Sequence, residues 1–147
     1  MSVLRLTKKF HFEMAHALYN YNGKCRNIHG HSYELHVTIR GNIKSLAGSS
    51  EDGMVMDFSD IKKIIEENII KTYDHALVLN DIEKDNYRNN KNINIIYLPF
   101  QPTCENLVCY FVNIIKSKLK NGIELYSLKL YETSTSYVEW NIEDNNI

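Results

Sequence analysis

The chain lacks most of the features that would assign it to a specialised class. Its longest apolar runs, such as NIIYLPF (residues 94–100), are far shorter than the ~20 residues a bilayer span requires. The N-terminus MSVLRLTKKF has no charged start, long apolar centre or small-residue cleavage site of the kind that marks a secretory signal. It has 3 cysteines, an odd number without dense spacing, which excludes a secreted disulfide framework. The formal net charge is only -1, so neither nucleic acid nor an anionic membrane surface is indicated as a partner. Internal repeats and Pro- or Ser-rich linkers are also missing. What remains, at 147 residues with 44% hydrophobic and 24% charged, is an ordinary globular composition. The expectation is one cytoplasmic domain over residues 1–147, large enough to bury a core.

Periodicity supplies the elements. Leu4, Leu6, Phe10, Phe12 and Met14 share one parity, opposite Arg5, Thr7, Lys9, His11 and Glu13, with Lys8 the single misfit. Tyr33, Leu35, Val37 and Ile39 alternate with Glu34, His36, Thr38 and Arg40, which describes a half-buried strand with one wet face. GMVMDF, NINIIYL and IELYSLKLYET read as further strands. Two helices separate them. SDIKKIIEENIIK carries Ile61, Ile64, Ile65 and Ile69 on one stripe with Ser59 as N-cap. PTCENLVCYFVNIIKSKLKNG has Thr103 to cap, Glu105 in its first turn and Gly122 past its end; its stripe is Leu107, Tyr110, Phe111 and Ile114, with Lys118 lying flat. Cys104 and Cys109 fall in this apolar pattern and read as small buried hydrophobes. Residues 42–53 and 80–92 read as loops. The order indicates an α+β fold, an antiparallel sheet with helices covering one face.

Parity also sorts the histidines. His16 is in phase with Phe12 and Met14, and His29 and His31 are in phase with Tyr33 and Leu35, so all three project to the apolar side near the strand ends. His11 and His36 are out of phase and read as surface residues. Two histidines at i and i+2 on a strand share a face, and Gly30 between them leaves the backbone room to bend. A third histidine from a neighbouring strand gives three nitrogen ligands with one position open, the pattern of a catalytic zinc. The bland reading is three imidazoles satisfied by backbone carbonyls. Cys25 lies in a cationic, loop-like stretch that favours a thiolate. It is either a fourth ligand, closing the site, or a nearby acid/base, and spacing alone leaves both open.

Asp74 stands beside His75 in TYDHALVLND. A carboxylate orients an imidazole, but adjacent residues on a strand point opposite ways, so the pairing requires the backbone to turn there. Glu105 is first a residue of a helix start. Glu132, in LYETSTSYVEW, ends an apolar strand; a carboxylate there is commonplace, though one followed by hydroxyl residues can recognise an amide-like heterocycle edge.

In order, FHFEMAHAL, CRNIHGHSYEL, GMVMDFSDIK, YDHALVLN, PTCENL and YETSTSYVEW resemble the 6-pyruvoyl-tetrahydropterin synthase / 6-carboxytetrahydropterin synthase family, from about Leu6 to Trp140. The resemblance implies a tunnelling fold (T-fold) that assembles into an oligomeric β-barrel, often a hexamer, with active sites between subunits. It implies His16, His29 and His31 as zinc ligands, Cys25 as the catalytic cysteine, and Asp74 with His75 as the rest of the acid/base set. Glu132 would anchor the pterin's amino-pyrimidinone edge, and Glu105 would lie near the pterin. The implied substrate is 7,8-dihydroneopterin triphosphate. In the pyruvoyl-forming branch the cysteine typically lies five residues before HGH. Here the spacing is CxxxHGH, similar to the 6-carboxytetrahydropterin synthases of queuosine and 7-deazaguanine biosynthesis, which release acetaldehyde and triphosphate. The alternatives are the pyruvoyl product, or a non-catalytic zinc or pterin-binding module.

Overall fold

The computed structural model describes residues 2–146. Strands β1 (Val3–His16) and β2 (His29–Asn42) form a long antiparallel pair. A helical rod follows, made of α1 (Phe58–Ile65), a π turn (Glu66–Ile70) and α2 (Lys71–Tyr73). Then come β3 (Ala76–Asn80), β4 (Ile95–Leu98), α3 (Cys104–Lys116), β5 (Ile123–Thr133), β6 (Ser136–Asn141) and the short α4 (Ile142–Asn145). The six strands form one sheet in the order β4-β3-β1-β2-β5-β6.

The alternation in the sequence becomes the two faces of this sheet. Phe10, Phe12 and Met14 of β1 and Tyr33, Leu35, Val37 and Ile39 of β2 are buried against Ile61, Ile65 and Ile69 of the rod and Leu107, Phe111 and Ile115 of α3. Burial of apolar area, at ~25 cal/mol per Å², is what holds the helices to this one face. A bulge between Thr38 and Ile39 in the β2–β5 register lets both Leu125 and Leu128 reach the core. Tyr126 lies between them in sequence, with the Arg5 guanidinium 3.7 Å from its ring centroid.

The α+β class with helices on one face is as the sequence indicates, but the sheet is mixed. β1–β2, β2–β5 and β5–β6 are antiparallel, whereas β1–β3 and β3–β4 are parallel. Strands β3 and β6 were not anticipated. β3 buries four consecutive residues, so it shows no alternation. GMVMDF is not a strand: the chain turns at Gly53 (φ 78), buries the adjacent Val55 and Met56, and starts α1. The cap of α1 is Asp57, whose carboxylate accepts from Ser59 N–H, not Ser59. Thr103 caps α3 as expected, accepting from Asn106 N–H. That helix stops at Lys116; Gly122 (φ 85) lies in the turn before β5 and Lys118 is exposed. Cys104 is buried, but Cys109 faces solvent. The 80–92 loop contains a 3-10 stretch, Asp81–Tyr87, capped by Asn80. His11 is exposed, but His36 is largely covered, bonded to Glu34 and stacked near Tyr131. Among the described residues, no helix is long and apolar enough to cross a membrane.

Candidate active site

The β1–β2 register places His16 directly opposite His29 and puts His31 two residues further along the same face. The three rings converge, with one ligand-capable nitrogen from each within 4.8 Å of the others. His16 Nδ1–H donates to the carbonyl of Pro102 at 2.7 Å, and His29 Nδ1–H donates to the carbonyl of Asn27 at 2.7 Å. A carbonyl can only accept, so both Nδ1 atoms carry protons and both Nε2 atoms present lone pairs. Those two Nε2 atoms are 3.0 Å apart. A hydrogen bond between them would need one ring doubly protonated, and burial pushes the His16 imidazole below its ordinary range, partly opposed by its bond to Pro102. Burial lowers His31 likewise, with Glu132 opposing. Its Nε2 is buried without a hydrogen-bond partner: Glu132 Oε1 lies 3.3 Å away but outside hydrogen-bonding geometry. Two inward lone pairs and one orphaned nitrogen fit a cation. The trio can hold a metal ion.

Beside the trio is a cavity of about 360 Å³ lined by His16, Cys25, Thr103, Cys104, Glu105 and Glu132, among others. Cys25 sits on a 3-10 turn, Lys24–Arg26, whose Cys25 carbonyl accepts from Leu18 N–H at 2.9 Å. It is not a member of the three-histidine cluster, yet it shares the cavity with His16 and Glu132. Glu105 is exposed at the start of α3, and Glu132 is at the end of β5. The loop before α3 closes this corner, since Gln101 bonds both the N–H and the carbonyl of Tyr19. The sequence therefore brings Cys25, Glu132 and Glu105 to one cavity with a trio histidine, although they come from four different elements.

Asp74 and His75 are also joined, and the backbone does turn there. The helical rod ends at Asp74, and His75 takes φ 60, a left-handed conformation uncommon for a non-glycine residue. This brings His75 Nδ1 to 3.0 Å from Asp74 Oδ1. The pair is stapled to β1, with Glu13 N–H donating to Asp74 Oδ1 at 2.9 Å and His75 N–H donating to the Glu13 carbonyl at 2.6 Å. The Glu13 N–H, followed by the His75 contact, holds the Asp74 carboxyl below its usual range. His75 is exposed and opens on a different depression, lined by Glu13, Gly30, His31, Ser32 and Ala76. Within one chain, the dyad does not reach the Cys25 cavity.

Sequence reasoning named backbone carbonyls as the alternative partners of the imidazoles but had no side-chain signal by which to identify those of Pro102 and Asn27, which fix the tautomers of His16 and His29. It also treated Tyr33 only as core. Tyr33 is fully buried, and its hydroxyl has no hydrogen-bond partner.

Known proteins resemble this chain over nearly its whole length. The family model described as 6-pyruvoyl tetrahydropterin synthase matches residues 5–143. A 6-carboxy-5,6,7,8-tetrahydropterin synthase of Haemophilus influenzae is 32% identical, covering 94% of this chain and 99% of its own. One from Rickettsia typhi is 33% identical, covering 93% and 99%. The solved 6-pyruvoyl tetrahydropterin synthase of Caenorhabditis elegans superposes with a TM-score of 0.69 at 24% identity, over 96% of each chain, which shows a common fold.

Proposed function

The chain belongs to the 6-pyruvoyl tetrahydropterin synthase family, and we propose that it is a zinc-dependent lyase of the 6-carboxytetrahydropterin branch. The reaction is conversion of 7,8-dihydroneopterin triphosphate to 6-carboxy-5,6,7,8-tetrahydropterin, with release of acetaldehyde and triphosphate. It belongs to queuosine and 7-deazaguanine biosynthesis in the cytoplasm. The observation that carries this reading is the set of inward histidine lone pairs beside a cavity that Cys25 and Glu132 share. The CxxxHGH spacing and the full-length relatives named 6-carboxy-5,6,7,8-tetrahydropterin synthase favour this branch.

His16, His29 and His31 would hold the zinc. When bound, the ion supplies Lewis-acid polarisation of the substrate's side-chain hydroxyls. Three neutral imidazoles would suit it, because each offers one nitrogen donor. Glu132 accepts the N–H groups of the amino-pyrimidinone edge and fixes the ring, so that the side chain extends toward Cys25. Glu105 borders the same cavity near the ring. Cys25 Sγ moves the side-chain proton. Asp74 accepts a hydrogen bond from His75 Nδ1–H and leaves Nε2 free for the opposite transfer. Because the dyad lies outside the Cys25 cavity of its own chain, a neighbouring copy supplies it in a homo-oligomer, a hexamer by family resemblance, with active sites between subunits.

The test is a product assay on zinc-loaded protein with 7,8-dihydroneopterin triphosphate, beside Cys25→Ala. Acetaldehyde and 6-carboxytetrahydropterin from the wild type, lost in a variant that retains zinc, is the expected result. Triphosphate release without acetaldehyde would assign the pyruvoyl reaction instead. No turnover by folded, zinc-loaded wild type would reduce the protein to a binding module.

A further inference from the structure

Tyr33 is a buried polar group that the mechanism above does not use. Its ring is 0% exposed, stacks on Phe12 with centroids 5.1 Å apart, and meets the rings of His16 and His31 edge-on at 6.3 and 5.6 Å. Its hydroxyl is buried with no hydrogen-bond partner. An unsatisfied buried hydroxyl costs roughly 1–3 kcal/mol, and a phenylalanine would fill the same space without that cost. A tyrosine here therefore needs a reason.

The register supplies one. The β2–β5 ladder ends with Glu34 opposite Tyr131, so Tyr33 and Glu132 are the next residues beyond it on the two strands, and both meet the His31 side chain. The Glu132 carboxylate now leans on His31 Nε2, 3.3 Å away, without hydrogen-bonding it. That nitrogen is the orphaned atom the histidine trio would offer a cation. Glu132 and a cation thus contend for one atom, and Tyr33 offers the carboxylate another partner across the strand pair. The phenol is suited to donate, since a tyrosine hydroxyl carries its proton at neutral pH.

We propose that Tyr33 is the positioning residue for the ligand anchor, its hydroxyl donating to the Glu132 carboxylate when that carboxylate holds the amino-pyrimidinone edge of a pterin. The inference rests on the proposed function, since it takes Glu132 as the pterin anchor. A donor to one carboxylate oxygen fixes the rotamer and stabilises the ionised form, leaving the remaining lone pairs for the ligand's N–H groups.

The experiment titrates zinc-loaded full-length protein with neopterin, followed by fluorescence, for wild type, Tyr33→Phe, Glu132→Gln and the double variant. Zinc content and thermal midpoint are measured on each. Tyr33→Phe should keep its zinc and melt at or above the wild-type temperature, because it removes an orphaned hydroxyl, yet bind neopterin about ten-fold more weakly. Glu132→Gln should bind much more weakly still, and adding Tyr33→Phe to it should change little. Equal neopterin affinity in wild type and Tyr33→Phe would overturn the role of Tyr33 while leaving the proposed function intact. A further ten-fold loss in the double variant would overturn the coupling to Glu132. If folded, zinc-loaded wild type does not bind neopterin, the pterin reading itself fails, and this inference with it.

Discussion

His16 Nε2 and His29 Nε2 face each other at 3.0 Å, each with its Nδ1 proton committed to a backbone carbonyl. Two lone pairs at that distance repel, and a cation between them converts repulsion into ligation. Zinc should therefore raise the thermal midpoint, by about 2.7 kcal/mol of added stability when free zinc is one hundred times its dissociation constant. Chelation should reverse the gain. His29→Ala should abolish stoichiometric zinc in metal analysis, whereas His11→Ala, on the polar face, should leave it unchanged. Equal zinc content in the two variants would rule out the trio as the site.

The three cysteines should separate by reactivity. Burial, with Glu132 and Glu105 adding to it, pushes the Cys104 thiol up to about 12, and its Sγ–H donates to the Leu130 carbonyl. It should resist alkylation at pH 8 until the protein unfolds. Cys109 is exposed and Cys25 half-buried in the cavity wall, so native protein should take two labels. Cys109→Ala should take one, and a pterin in the cavity should slow that remaining reaction. A native Cys104 adduct found by peptide mass mapping would contradict the structure.

Phe111 ties α3 to the end of the helical rod, fully buried and edge-on to Tyr73 with centroids 5.1 Å apart. Phe111→Ala should cost ~3–5 kcal/mol in denaturant unfolding, the usual range for a buried aromatic truncated to alanine. Phe111→Leu should cost clearly less, because it leaves a smaller void.

What could be read in advance follows from the range of the interactions. The period-two pattern of β1 and β2 located the core face and, by the same parity, His16, His29 and His31, because register on a half-buried strand is fixed by its apolar side. β3 escaped the same test. Its Leu77 and Leu79 join a second cluster with Ala17, while Ala76 and Val78 enter the main core, so both faces are apolar and no alternation survives. The parallel edge it forms with β1 and β4 is a long-range pairing with no local mark. The Asp74–His75 contact depended on a positive φ at a histidine, which no propensity would assign. The orphaned Tyr33 hydroxyl was hidden for the opposite reason, since its position fits the apolar pattern so well that the polar atom drew no attention.

That contact between Asp74 and His75 carries a pH signature. The Asp74 carboxyl is held below its ordinary range first by Glu13 N–H and then by His75, so its folded-state pKa lies below its unfolded one. A group depressed in this way adds stability that is present above the unfolded value, about 3.9, and lost as pH falls through the folded value. Asp74→Asn keeps an acceptor for Glu13 N–H but removes the charge. The difference in thermal midpoint between wild type and Asp74→Asn should therefore stay level from pH 7 to about pH 5 and shrink as pH falls below ~4. Its absolute size should be modest, because the Asp74 side chain is 38% exposed and solvent screens the charge. A difference that persists unchanged into strong acid would show that the substitution acts through packing or the backbone turn, and that the carboxylate charge does not hold His75 in place.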